Sequence, residues 1–276
     1  MIALRHVVLV LLLSPVLFSC NKEDEKNSTK AVGRVVFQFE HYADGAPLIL
    51  NEMAYKSAAG DSFEVQEIQY FLSDFTLHSA SGQDFHIGED DRKFAHYIDT
   101  NLPNTNTWQV DDSIPAGDYD ALSFVFGIVG EKNTPYRYTD TPESNMLWPV
   151  NLGGDQGGYH YMKLNGFWVN DDGLREPFNF HLGVGQERDA DNNITGFVQN
   201  WQRIELPAAA FSINDGDAKE ITIRMNVEEW WKNPNIYDHD VHGGRIMQNQ
   251  EAMAMGAENA MSVFSVGSIA THTGNQ

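Results

Sequence analysis

From Arg34 onward, apolar and polar residues alternate in the manner of half-buried strands. Val35, Phe37 and Phe39 fall on one face, Gln38 and Glu40 on the other. Ile68–Leu77 and Phe94–Ile98 are further strand candidates. Pro115-Ala116-Gly117-Asp118-Tyr119 has turn chemistry, and Leu122, Phe124, Phe126 and Ile128 alternate after it. Tyr159–Val169, Pro177–Leu182, Gln202–Leu206 and Glu220–Val227 follow, separated by Gly, Asn and Asp clusters. The pattern predicts an all-β chain, an antiparallel β-sandwich of about seven or more strands with long loops. Gly244–Phe264 is the one helical prediction, with Ile246, Met247, Gln250, Ala254, Ala257 and Met261 near helical spacing and Gly256 weakening its middle. Lys132–Gly158 shows little periodicity, and a loop of that length in a compact domain is usually functional or disordered. There is no internal repeat and no composition break beyond residue 33, so one domain is expected over 33–270.

The N-terminus departs from this pattern. Arg5 precedes the apolar run Val7–Leu13, and Leu17-Phe18-Ser19-Cys20 follows. A charged start, a short apolar core and a small residue before the cut predict a signal peptide over 1–19. The run is shorter than the ~20 residues a transmembrane helix needs. Leu17-x-Ser19-Cys20 resembles a bacterial lipobox, which makes Cys20 the expected lipidation site; the alternative is an ordinary cleaved signal. Residues 20–32 then read as a flexible tether, and Lys22-Glu23-Asp24-Glu25 resembles the acidic surface-export signal of Bacteroidota lipoproteins. The expected location is the outer membrane, facing the periplasm or the cell surface.

Charge and cysteine content narrow the chemistry. A formal net charge of -21 excludes a nucleic-acid groove, which needs clustered cations. One Cys excludes an intrachain disulfide framework and a zinc ribbon. No GxSxG, HExxH or P-loop is present, so no substrate turnover is expected.

Of ten histidines, His6 falls in the expected leader and nine remain to be explained. Imidazole is the commonest transition-metal ligand. His160, in Gly158-Tyr159-His160-Tyr161-Met162-Lys163-Leu164-Asn165-Gly166, shares a face with Met162 and Leu164 by period two. His181 falls with Asn179 and Gly183, opposite Phe178, Phe180 and Leu182; it is either a metal ligand or a hydrogen-bonded sheet residue. His239-Asp240-Val241-His242 is an HxxH, which chelates if it forms a helical turn and is otherwise a solvated loop. Met162 offers a thioether for Cu(I). Asp171-Asp172 and Asp189-Ala190-Asp191-Asn192-Asn193 are either calcium ligands or solvated turns, without the EF-hand order. Trp148, Tyr136 and Tyr138 can alternatively form a loop platform for a glycan or protein.

Several segments in order carry a family resemblance. They are Val35–Phe39, Tyr70-Phe71-Leu72-Ser73-Asp74-Phe75-Thr76-Leu77, Ile114–Tyr119, Met146-Leu147-Trp148, Gly158–Gly166 and Phe180-His181-Leu182-Gly183. Together they resemble the MbnP-like copper-binding protein family over about residues 33–266. The resemblance implies a β-sandwich that binds copper in the cell envelope. It implies that His181 is a family histidine and that Trp148 stands at the family's Met-x-Trp position. In some members a Trp is oxidised to kynurenine by a di-haem peroxidase-like partner, which makes Trp148 the residue to inspect here. His160 stands where the family has an aromatic, and no Trp-x-His pair is present. The expected copper site is His160, His181 and His242, with His239 and Met162 as further ligands.

Overall fold

The computed structural model describes residues 30–88 and 93–273. The leader 1–19, Cys20 and the tether as far as residue 29 lie outside the described residues.

Two sheets pack face to face. The first runs in the order Phe264–Thr273, Asp217–Asn226, Val32–Ala43, Ala46–Pro47. The second runs Arg175–Leu182, Met162–Val169, Ser62–Ser79, Gly117–Phe126, Gln202–Leu206. A separate hairpin pairs Gly185–Arg188 with Ile194–Val198. Alternation explains how the layers meet. Val35, Phe37 and Phe39 turn inward and are buried. Phe37 meets Phe75 of the facing sheet at 4.9 Å between ring centroids, and Phe75 stacks on Phe124 at 5.1 Å. The first of these contacts crosses the layers and the second continues it along the inner face of the second sheet, and together they close the core.

The ladders are antiparallel with one exception among the named strands. Val32–Ala43 and Asp217–Asn226 run parallel, with Phe37 opposite Ile221 and Phe39 opposite Ile223. A parallel neighbour requires a long crossover, here most of the chain.

The helix is shorter than its sequence pattern, spanning Gln250–Val263. The Asn249 side chain accepts from the Ala252 N–H and caps it there. Gly256 lets the helix approach the sheet, since a Cβ at that position would lie 2.8 Å from the Phe180 ring. The chain then enters Phe264–Thr273 directly, a strand rich in Ser, Thr and Gly.

Two features place the site. Lys132–Gly158 is a pinned loop, closed by a Leu147–Tyr159 bridge and by the Trp148 N–H donating to the Gly158 carbonyl at 2.9 Å. Arg175–Leu182 is an edge strand of its sheet. The segment leading to the helix lies against it, with the Asn179 N–H donating to the Gly244 carbonyl at 2.6 Å and a parallel bridge between Asn179 and Arg245.

Candidate metal centre

The hairpin of Met162–Val169 and Arg175–Leu182 fixes which side chains share a face. Its register sets Met162 opposite Leu182, Lys163 opposite His181, and Asn165 opposite Asn179. Opposed residues point the same way. Met162, Leu164, Phe180 and Leu182 therefore face the core and are buried, while Lys163, Asn165, Asn179 and His181 lie on the outer face. On that face Asn165 Oδ1 lies 2.7 Å from His181 Nε2, and Asn165 Nδ2 donates to Glu67 Oε2 at 3.3 Å. The carboxylate can only accept, so it orients the amide with its oxygen toward the histidine. His181 Nε2 must then carry the hydrogen, leaving the lone pair on Nδ1.

His160 stands just before the hairpin. Its N–H donates to the Met146 carbonyl at 2.7 Å, and its Nδ1 lies 2.9 Å from the same oxygen. A carbonyl also only accepts, so Nδ1 holds the hydrogen and Nε2 the lone pair. The His160 and His181 rings stand 5.3 Å apart at 86°. Burial, then Lys163 and His181, push the His160 pKa down to about 3; burial, then Lys163, push His181 down to about 4. Both rings are neutral at neutral pH. A hydrogen bond that fixes one nitrogen of a neutral imidazole and frees the other is the arrangement that orients metal-binding histidines.

Trp148 closes the inner side, its ring 4.6 Å from His160. It sits in a slot made by glycines. A Cβ at Gly183 would lie 2.4 Å from the indole, one at Gly153 2.6 Å and one at Gly157 2.8 Å. The Met-Leu-Trp and Phe-His-Leu-Gly segments thus meet physically, with Gly183 making room for Trp148 beside the histidines. The buried indole Nε1 has no hydrogen-bond partner among the described residues.

The other predicted ligands are elsewhere. Met162 is on the core face, opposite to His181; the period-two assignment fails because the strand begins only at Met162, and both Tyr161 and Met162 enter the core. His239–His242 does form a single helical turn, capped by Asp238. His239 is nevertheless buried in the core, and His242 is half-buried beside Tyr237. His239 is buried among Trp168, Phe178, Trp231 and Tyr237, and His242 packs on Tyr237, which in turn packs on the core residue Phe180. His239 and His242 do not join His160 and His181.

Among the described residues, the one grouping of three or more possible metal-holding side chains consists of carboxylates: Asp61, Asp171 and Asp240, with oxygens within 4.8 Å of one another. Asp240 also accepts from Trp168 Nε1 at 3.1 Å and from the Asp171 N–H at 2.9 Å. Burial, then Asp238, Asp240 and Asp171, raise the Asp61 pKa. Asp189 instead closes its own turn, accepting from the N–H groups of Asp191 and Asn193. The proposed glycan platform does not form: Tyr136 is exposed, Tyr138 stacks on Phe71 at 5.5 Å, and Trp148 is buried.

Sequence reasoning missed Asn165, Glu67 and the Met146 carbonyl, which set the two tautomers. A signal for Asn165 existed. Once the turn at 170–174 is accepted, the alternation puts Asn165 on the same face as His181 and diagonal to it.

The MbnP family model matches residues 32–251. Among solved structures, MbnP from Methylosinus trichosporium aligns at 14% identity and a TM-score of 0.42, covering 68% of this chain and 75% of that one. No curated protein matches the chain.

Proposed function

The chain belongs to the MbnP family, and on that premise we propose that it holds copper at His160 and His181, for storage or transfer and without turning over a substrate. The observation that carries this reading is the pair of neutral imidazoles, each with one nitrogen pinned by an acceptor, set 5.3 Å apart beside a buried indole. The donor set fits the metal. Imidazole suits copper in either oxidation state, and neutral rings present lone pairs without first losing a proton. An intact indole donates a hydrogen and has no in-plane lone pair, so Trp148 lines the site and does not ligate it.

The wider setting belongs to the same proposal. Lipidation at Cys20 would tether the domain to the outer membrane, facing the periplasm or the cell surface. A di-haem peroxidase-like partner would act on Trp148, and intact-mass spectrometry of protein from the native envelope reads that modification directly.

The test is an anaerobic titration of the metal-free protein against a chromophoric Cu(I) chelator, repeated with Cu(II), for the wild type and for His160→Ala and His181→Ala. Tight uptake by the wild type and weakened uptake by both variants supports the reading. A wild type that binds copper no more tightly than His181→Ala overturns it.

A further inference from the structure

We infer that Met247 is a third, sulfur ligand of this site, and that it makes the site selective for Cu(I). The inference rests on the histidine reading above and adds to it a residue that the strand pattern did not mark. The bridge between Asn179 and Arg245 is parallel, so it fixes a register along the sheet edge. The bridge is isolated, and residues 247 and 248 turn away from the sheet edge, the turn closed by the Asn249 N–H donating to the Ile246 carbonyl at 2.8 Å. That turn leaves Met247 beside the strand end: His181, Met247, Asn179 and Arg245 line one cavity of about 280 Å³.

The other methionines are placed differently. Met146, Met162, Met225 and Met253 are sealed in the hydrophobic clusters, Met261 is exposed on the helix, and Met53 and Met255 are half-buried without lining the cavity. Met247 is half-buried, packed on the core while lining the cavity. A thioether is a soft ligand that binds Cu(I) well and Cu(II) poorly. Local charge favours the same ion. Arg245 lines the cavity and Lys163 stands opposite His181, with Glu67, which holds Asn165, offsetting one of the two charges; the remaining positive charge repels a dication twice as strongly as a monocation.

The experiment compares the wild type, Met247→Leu and His181→Ala by copper K-edge X-ray absorption and by separate Cu(I) and Cu(II) competition titrations. Leu conserves volume, and a thermal melt checks that the variant folds. Expected for the Cu(I) wild type is a sulfur neighbour at about 2.3 Å, the usual metal–sulfur distance. Met247→Leu loses that neighbour and about tenfold or more in Cu(I) affinity, with Cu(II) affinity changed less than about threefold. A wild-type spectrum without sulfur, or a sulfur neighbour that persists in Met247→Leu, overturns the inference. If His181→Ala still abolishes binding in those cases, the imidazole reading stands alone. A wild type that takes up no copper removes both. Should Met247→Leu misfold, the presence or absence of sulfur in the wild type decides.

Discussion

Asn165 offers the sharpest test of how the site is organised, because it touches His181 and is not itself a ligand. Asn165→Leu removes the acceptor that lies 2.7 Å from His181 Nε2 while keeping nearly the same volume. Glu67 keeps a partner, since Asn101 Nδ2 also donates to it at 2.7 Å. The fold should tolerate the change. The variant loses two half-buried side-chain hydrogen bonds, to His181 and to Glu67, each contributing about 0.5–1.5 kcal/mol, and Leu on a strand offsets part of the loss. Copper binding should suffer more. Without its acceptor, His181 is free to place its hydrogen on Nδ1 and to rotate its ring. Loss of an orienting partner typically lowers metal affinity about 10- to 100-fold, or about 1.4–2.7 kcal/mol. The assay is anaerobic Cu(I) competition against a chromophoric chelator, with a thermal melt alongside. Affinity within about threefold of wild type, in a series where His181→Ala loses binding, would refute tautomer control by Asn165.

Other consequences follow from the same geometry. Gly183→Ala places a Cβ 2.4 Å from the Trp148 indole and should cost about 1–3 kcal/mol of stability, read as a lowered melting temperature and altered Trp fluorescence. The depressed pKa values fix a pH dependence. His160 and His181, ordinarily near 6.5, titrate at about 3 and about 4 when folded, so the unfolded chain binds more protons between those values. Their contribution to stability is therefore complete above pH 6.5 and declines as pH falls through the folded values, which acid titration of the urea midpoint measures. Copper affinity should stay level from neutral pH to near 5, whereas an exposed histidine site weakens below about 6.5. His242→Ala should leave copper affinity unchanged in the competition assay, because His242 packs against Tyr237 and away from the His160–His181 pair.

The sequence pattern conveyed the sandwich better than the site. Val35, Phe37 and Phe39, like Leu122, Phe124 and Phe126, alternate because one face of each strand enters the core, and burial follows that alternation. Phe264–Thr273 escaped notice because its Ser, Thr and Gly residues give a weak period beside a helical run. The parallel pairing of Val32–Ala43 with Asp217–Asn226 joins segments 184 residues apart, beyond any local signal. At the site, His181 and Trp148 were visible through the motifs that contain them. The HxxH at His239–His242 has chelating spacing, yet aromatic packing by Trp168, Phe178 and Trp231 claims His239. Met162 misled because the count of two assumed a regular strand through Tyr161, where the chain first adopts the pleat at Met162. What singles out His160 and His181 is hydrogen bonding to Met146 and Asn165, and partners so placed emerge only from the folded register.

The tautomers of these two rings are the most direct point of attack. Long-range nitrogen–proton correlation spectra of protein carrying ¹⁵N-histidine report which ring nitrogen bears the hydrogen and which responds to a metal. The metal-free protein should show His160 protonated at Nδ1 and His181 at Nε2, and stoichiometric Cu(I) should move His160 Nε2 and His181 Nδ1 while the His239 resonances stay in place. Opposite tautomers in the metal-free protein, or copper that shifts other histidines and leaves these two still, would contradict a copper centre built on His160 and His181.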